Sequence, residues 1–162
     1  MAAASLIATA LGIVLILLTA YFLAGGALSA IGVVSDAQRD TTIIRSKMLG
    51  TSVSVLGSSA GDSLLYVEIL NDGREPIREM EGIDVYLNDP AIGWSIFTYS
   101  QAPGTGHWSL VRITAGDYSA EKIYTNQWDP GEILNMSISY SGINPNYFKI
   151  VTANGVGALF PV

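Results

Sequence analysis

The pattern of hydrophobic and polar residues changes twice along this 162-residue chain. Residues 6–31 are apolar almost without interruption, and residues 33–48 repeat apolar side chains at three- and four-residue spacing. From residue 53 onwards, apolar and polar residues alternate. The first two patterns predict one long helix, and the third predicts strands with one buried face. We therefore expect a hydrophobic helix and amphipathic stalk over residues 1–50 and a β domain over residues 51–162.

The apolar segment contains no Asp, Glu, Lys or Arg, and every charged residue of the chain lies at or after Asp36. A helix of this length exceeds the hydrocarbon core of a bilayer, which is about 30 Å thick. A signal peptide is the competing interpretation, but it has a basic start and a shorter apolar core of about 7 to 15 residues. The pattern predicts a retained helix that anchors the chain in a membrane or packs in a filament core. Its anchoring side chains include Leu6, Ile13, Leu17, Phe22, Leu28 and Ile31.

The β domain is predicted from four clear alternating runs and the turns between them. The runs lie at residues 53–55, 65–69, 83–87 and 134–140, and Gly-, Asn-, Asp- and Pro-rich segments separate them. Seven to nine short strands with no helical stretch between them predict an antiparallel sandwich of the immunoglobulin-like type.

Composition excludes several classes of function. The chain has no Cys and one His, which rules out disulfides, thiol chemistry and zinc sites built from Cys or paired His. With 8 basic against 14 acidic residues, the chain lacks the positive surface that nucleic-acid binding needs.

Two features of the sequence are candidate catalytic groups, and neither forms a known motif. His107 lies between Gly106 and Trp108 without the G-x-S-x-G sequence of a serine hydrolase. The acidic cluster Glu75, Glu79, Glu81 and Asp84 lacks the spacing of a calcium loop and is interrupted by arginines. We expect no enzyme activity, no cofactor, no metal and no small-molecule substrate.

Aromatic residues in loops and at strand ends are the better candidates for binding. Trp94, Tyr99, Trp108 and Tyr118 are predicted partner contacts, because aromatic side chains with few charges are typical of interfaces. Tyr124 and Trp128 belong to the same group of aromatic residues, and the alternative is that about half of this group is core. The sequence Asn135-Met136-Ser137 matches the N-glycosylation signal, so Asn135 is a candidate glycan site if the domain lies outside the cell.

Two short motifs carry a resemblance to a known family. Trp128-Asp129-Pro130-Gly131-Glu132, followed by an alternating strand, is similar to the W-x-P-G-E turn of the archaeal flagellin superfamily. The segment from Lys149 to Val156, KIVTANGV, resembles the terminal strand pair of the same superfamily. The layout is most like that of the archaellum accessory stator proteins, the flagellar F and G proteins. Trp128, Pro130 and Gly131 are then expected to form a structural turn.

The resemblance implies a non-enzymatic component of the archaellum motility machinery. The chain would cross the cytoplasmic membrane once and place its β domain in the pseudoperiplasm, where it binds the S-layer protein and other archaellum components and self-associates. The alternative is an archaellin or type IV pilin-like subunit of an extracellular filament, with the helix packed in the filament core. The start Met1-Ala2-Ala3-Ala4 has no basic leader, which favours the accessory type.

Removing residues 1–30 is expected to leave a soluble, folded, all-β protein, because the strands carry their own alternating core pattern. Circular dichroism should show β structure and one cooperative thermal transition. An aggregated or unfolded product would show that the helix belongs to the core of the domain.

Overall fold

The computed structural model describes residues 2–120, 124–125 and 127–162. Helix α1 spans Ala2–Gly50, and the strands are β1 (Val53–Ala60), β2 (Leu64–Asn71), β3 (Asp84–Asp89), β4 (Gly93–Tyr99), β5 (His107–Ala115), β6 (Glu132–Ser139), β7 (Tyr147–Val151) and β8 (Gly157–Pro161). A short 3₁₀ turn, Met80–Gly82, precedes β3. The chain divides into two compact units, residues 1–43 and residues 44–162, so the end of α1 belongs to the second unit.

In the first unit α1 is a single unbroken helix. Its length and apolar composition are sufficient to cross a membrane, and none of the apolar stretch is buried within the chain. The predicted anchoring side chains are all exposed: Leu6, Ile13, Leu17, Phe22, Leu28 and Ile31. The exposed apolar side chains of α1 taken together, which include all of residues 13–18 in succession, occur all around the helix, and this is the distribution expected for a helix surrounded by apolar material.

The eight strands form a sheet in the order β1-β2-β6-β5-β4-β3-β7-β8. Neighbouring strands are antiparallel except β4 and β5, which pair in parallel over only two residue pairs, Thr98 with His107 and Tyr99 with Trp108. This short link divides the sheet into two antiparallel halves, β1-β2-β6-β5 and β4-β3-β7-β8. The fold is therefore the predicted helix followed by a β-sandwich, with eight strands, and the parallel link is the one departure from the prediction.

Both halves of the sheet contribute to one hydrophobic core. On strand β6, Leu134, Met136 and Ile138 are fully buried and alternate with partly exposed polar residues. The opposite half supplies Val85, Leu87, Phe97, Phe148 and Ile150 to the same cluster. The predicted two-residue periodicity thus places one face of each half in the core and the other face in solvent.

The segment from Trp128 to Glu132 forms a hydrogen-bonded turn. Trp128 is fully buried and its indole Nε1 donates to the carbonyl of Glu132 at 2.8 Å. Gly131 has φ +83° and its amide donates to the carbonyl of Asn71 at 2.7 Å. Exposed Pro130 lies between them. A side chain at position 131 is strained because L-residues rarely adopt this backbone conformation.

Gly131→Ala is expected to lower the free energy of unfolding by about 1–2 kcal/mol through backbone strain. The new Cβ would meet no atom within 4 Å, so no clash contributes. Trp128→Ala is expected to cost about 3–5 kcal/mol because it leaves a cavity in the core. Urea denaturation measures both effects.

Gly57→Ala is the matched control, because its Cβ also meets nothing within 4 Å and its φ is not positive. A change within about 0.5 kcal/mol is expected there. If Gly57→Ala and Gly131→Ala lower the free energy of unfolding by the same amount, the turn at Gly131 is not strained.

Candidate functional site

The end of α1 is held by hydrogen bonds from the β domain. The Gly50 carbonyl accepts the backbone amides of Arg74 at 2.6 Å and Glu75 at 3.2 Å. Gly73 donates to the Ser52 carbonyl at 3.1 Å, and a Cβ at Gly73 would lie only 2.5 Å from Ser52 N. Only glycine allows the two backbones to approach this closely. We call this region the proximal end of the domain.

Two side-chain amides complete the proximal end. The Nδ2 of Asn154 donates to Thr51 Oγ1 at 2.7 Å, and Thr51 Oγ1 donates to the carbonyl of Lys47 at 2.9 Å. The Nδ2 of Asn71, which is fully buried, donates to the carbonyls of Trp128 at 2.9 Å and Glu75 at 3.1 Å. Each of the two motifs that carry the family resemblance therefore has a hydrogen bond at the proximal end.

The opposite end of the domain, the distal end, comprises the β3–β4 turn and the start of β7. Buried Asp89 accepts hydrogen bonds from several backbone amides at this end. Its Oδ1 accepts the amides of Ala91 at 2.7 Å and Ile92 at 3.1 Å. Its Oδ2 accepts the amide of Asn144 at 2.6 Å. These bonds, with Asn144 and Ala91 contributing most, hold the pKa of Asp89 below its ordinary value against the opposing effect of burial.

The outer side of β4-β3-β7-β8 carries exposed apolar residues from the distal end inward. Trp94, Asn88 and Tyr147 form one row in register, and Pro161 continues it on β8. The next row places Ile96 at one edge and Leu159 at the other, with Tyr86 and Lys149 between them. Four large side chains of these two rows are 42–59% exposed, and we call them the outer apolar face: Trp94, Ile96, Tyr147 and Leu159.

Of the predicted partner contacts, Trp94 and Tyr118 are exposed, Tyr99 is half-buried and Trp108 is fully buried. The Trp108 indole donates to the Ile83 carbonyl at 3.1 Å and packs against the Tyr99 ring with centroids 4.9 Å apart. Its prediction as a surface contact is wrong, because its strand position faces the core.

Tyr118 occupies a different surface from Trp94. It has φ +63°, an uncommon conformation for a residue other than glycine, and its hydroxyl donates to Glu68 at 3.3 Å. Glu68 lies on β2, in the other half of the sheet. The structure therefore brings no two of the predicted contacts together on one exposed face.

Three members of the outer apolar face, Ile96, Tyr147 and Leu159, were missed in the sequence analysis. The alternation of Tyr147 and Lys149 with buried Phe148 and Ile150 indicates an outward Tyr147 once that segment is taken as a strand. The sequence could not predict that Ile96 and Leu159 lie on the same face, because this depends on which strands pair.

Asn135 is a poor glycan acceptor in the folded domain. It lies on central strand β6, between Glu68 on β2 and Arg112 on β5. Its Nδ2, the atom that would carry the sugar, is buried. This atom is therefore not accessible in the folded domain, because strands on both sides enclose it.

The candidate catalytic groups are exposed or partly buried: His107, Glu79 and Glu81 are exposed, and Glu75 and Asp84 are partly buried. His107 is exposed and its Nδ1 lies 3.2 Å from the Thr98 hydroxyl. Among the residues that the structure describes, no group of three or more His, Asp and Glu is placed to hold a metal.

Comparisons with known proteins give similarity of fold at low sequence identity. No protein-family model matches the sequence, and no curated protein matches it either. The archaeal flagellum of Methanospirillum hungatei strain JF1 matches with a TM-score of 0.62 and 14% identity, over 94% of this chain and 88% of that one. The chain shares its fold with this flagellum protein. A match over 94% of the residues necessarily includes both α1 and the β domain.

Two further structures are similar over about two thirds of the chain. The archaellum periplasmic stator protein FlaG from Sulfolobus acidocaldarius gives a TM-score of 0.49 and 17% identity, over 68% of this chain and 99% of that one. The archaellum periplasmic stator protein complex of FlaF and FlaG from the same organism gives a TM-score of 0.48 and 16% identity, over 67% of this chain and 87% of that one. The predicted resemblance to the archaeal flagellin superfamily is confirmed at the level of the fold, and that confirmation rests on the flagellum protein.

The depressed pKa of Asp89 predicts acid sensitivity of the distal end. A carboxyl whose pKa is lower in the folded state stabilises the fold above its unfolded pKa, and this stabilisation is lost as the pH falls from about 4 through the folded pKa. Asp89→Asn is expected to lower the urea midpoint at pH 7 and to reduce the further loss between pH 5 and pH 2.

Asp62→Asn, at an exposed loop carboxylate, is the matched control and should follow the wild-type pH profile. A pH profile of Asp89→Asn that parallels the wild type would show that the carboxylate does not stabilise this end.

Proposed function

We propose that this protein is a non-enzymatic structural component of the archaellum, anchored in the cytoplasmic membrane by residues 6–31. Its β domain lies in the pseudoperiplasm, where it binds the S-layer and provides a static point for the motor. The observation that carries the proposal is a helix whose apolar segment, residues 6–31, is exposed and uncharged and which continues into a folded β domain. Water does not tolerate so much exposed apolar surface, so a bilayer or other helices must cover it.

The β domain suits an attachment role because its two ends differ. The proximal end is polar and is tied to the last turn of α1 by backbone hydrogen bonds to Gly50. The outer apolar face extends from the distal end, where Trp94 and Tyr147 lie on the far side from Asn154. Such a face, away from the point where the chain enters the domain, is accessible to a lattice protein. We propose it as the contact with the S-layer, and the exposed Tyr118 as a separate contact with other archaellum components.

A second function, subunit of an extracellular filament, is favoured by the match to the Methanospirillum flagellum over both α1 and the β domain. In a filament the exposed apolar side chains of residues 6–31 pack against the same segments of other copies. The uniform apolar circumference of the helix serves this packing as well as it serves a bilayer.

Shearing and fractionating the producing cells distinguishes the two functions. An antibody against the β domain should detect the anchored protein in the envelope pellet together with the S-layer protein. Stoichiometric recovery in sheared filaments would instead establish the filament subunit and overturn the anchored stator. Recovery with soluble proteins would contradict both.

Leu17→Arg tests the role of the helix, because a central arginine costs about 2.5–3.5 kcal/mol on insertion. Envelope recovery is expected to fall, whereas Gln38→Arg, in the amphipathic stalk, should leave it unchanged. Equal recovery of the two variants would argue against a membrane-inserted segment.

A further inference from the structure

The aromatic row at the distal end has the composition of a carbohydrate-binding surface. Trp94 and Tyr147 are 52% and 42% exposed, and Asn88 lies between them in register. We propose that this row binds an uncharged glycan chain. The inference rests on the proposed function only in naming the envelope as the source of that glycan.

The charge of this surface fits a neutral ligand. Residues 44–162 contain twelve acidic and seven basic side chains, so the unit as a whole is acidic. The aromatic row contains no charged residue, and the oxygens of neighbouring Asp89 already accept three backbone amides. Lys149 lies in the next row, with its Nζ 5.7 Å from the ring centroid of Tyr86. An uncharged ligand loses no ionic hydration here and meets no like charge, whereas an acidic surface would be repelled by the domain.

Side-chain amides at the distal end can form hydrogen bonds with the hydroxyl groups of a sugar. The side chains of Asn88 and Asn144 make no hydrogen bond with any residue that the structure describes. Each amide offers two donor hydrogens and one acceptor oxygen, which pair with neighbouring hydroxyls of a sugar. Asn144 is exposed, and Asn88 is half-buried between the two aromatic rings.

The spacing of the rings fits a chain better than a single sugar. Trp94 and Tyr147 are on strands separated by one strand, so they lie about 9–10 Å apart across the sheet. This distance corresponds to every second unit of an extended β-linked glycan. The C–H groups on one face of a sugar carry partial positive charge and stack on the negative face of an aromatic ring. The unit between the two stacked sugars then lies over Asn88.

Tryptophan fluorescence reports on this site directly. The chain has three Trp residues, and Trp108 and Trp128 are fully buried, so Trp94 is the accessible one. The full-length protein in lipid nanodiscs, free of sugar detergents, is titrated with neutral oligosaccharides released from the envelope of the producing cells. Cellobiose, cellotriose and cellotetraose provide a defined length series. Binding should shift the Trp94 emission to shorter wavelength and protect it from acrylamide.

Calorimetry of four variants tests the geometry. Trp94→Ala and Tyr147→Ala should each weaken binding by about tenfold, because each removes one stacking contact. Trp94→Phe retains a ring and should recover part of the affinity. Tyr66→Ala, at a tyrosine of similar exposure in the other half of the sheet, is the matched control and should bind like the wild type.

The proposal is supported if either oligosaccharide probe binds and the four variants change its affinity as expected. Oligosaccharides of three or more sugar units should also bind more tightly than those of two. Failure of both probes at millimolar concentration overturns it. Equal binding of envelope protein before and after glycan removal also overturns it and identifies a protein partner instead. Envelope recovery of the chain without glycan binding overturns this inference alone, whereas glycan binding without envelope recovery overturns the proposed function alone.

Discussion

The carbonyl groups at the end of α1 impose the constraint on which the rest of the structure depends. The last carbonyls of a helix have no hydrogen-bond partner within the helix. Here the backbone amides of Arg74 and Glu75 donate to the carbonyl of Gly50. The loop that provides these amides must pass so close to Ser52 that position 73 has to be glycine. Asn71 in turn ties this loop to the buried Trp128 turn.

This constraint gives both short motifs of the sequence a role at the same end of the domain. The W-D-P-G-E turn contacts the proximal loop through Asn71, and the T-A-N-G turn contacts Thr51 through Asn154. Both contribute hydrogen bonds at the proximal end of the domain.

The two ends of the domain therefore have different chemistry for a physical reason. The proximal end is rich in hydrogen bonds because it must satisfy a helix terminus and two turns. The distal end is organised by a single carboxylate, Asp89, which satisfies three amides and leaves the neighbouring amides and rings free. A surface that does not have to hold the fold together is available to bind a partner.

The sequence by itself determined the long apolar helix, the change of periodicity near residue 50 and the number of strands, because these depend on local spacing of apolar side chains. It also indicated the Trp128 turn. Which aromatic residues reach the surface was decided by the tertiary structure: Trp108 and Trp94 both lie on strands, but only Trp108 faces the core. Likewise the Asn135 signal is local, whereas its burial depends on β2 and β5 on either side. The row of Trp94, Asn88 and Tyr147 exists only through strand pairing, since its members are brought together from separate segments of the chain by long-range register.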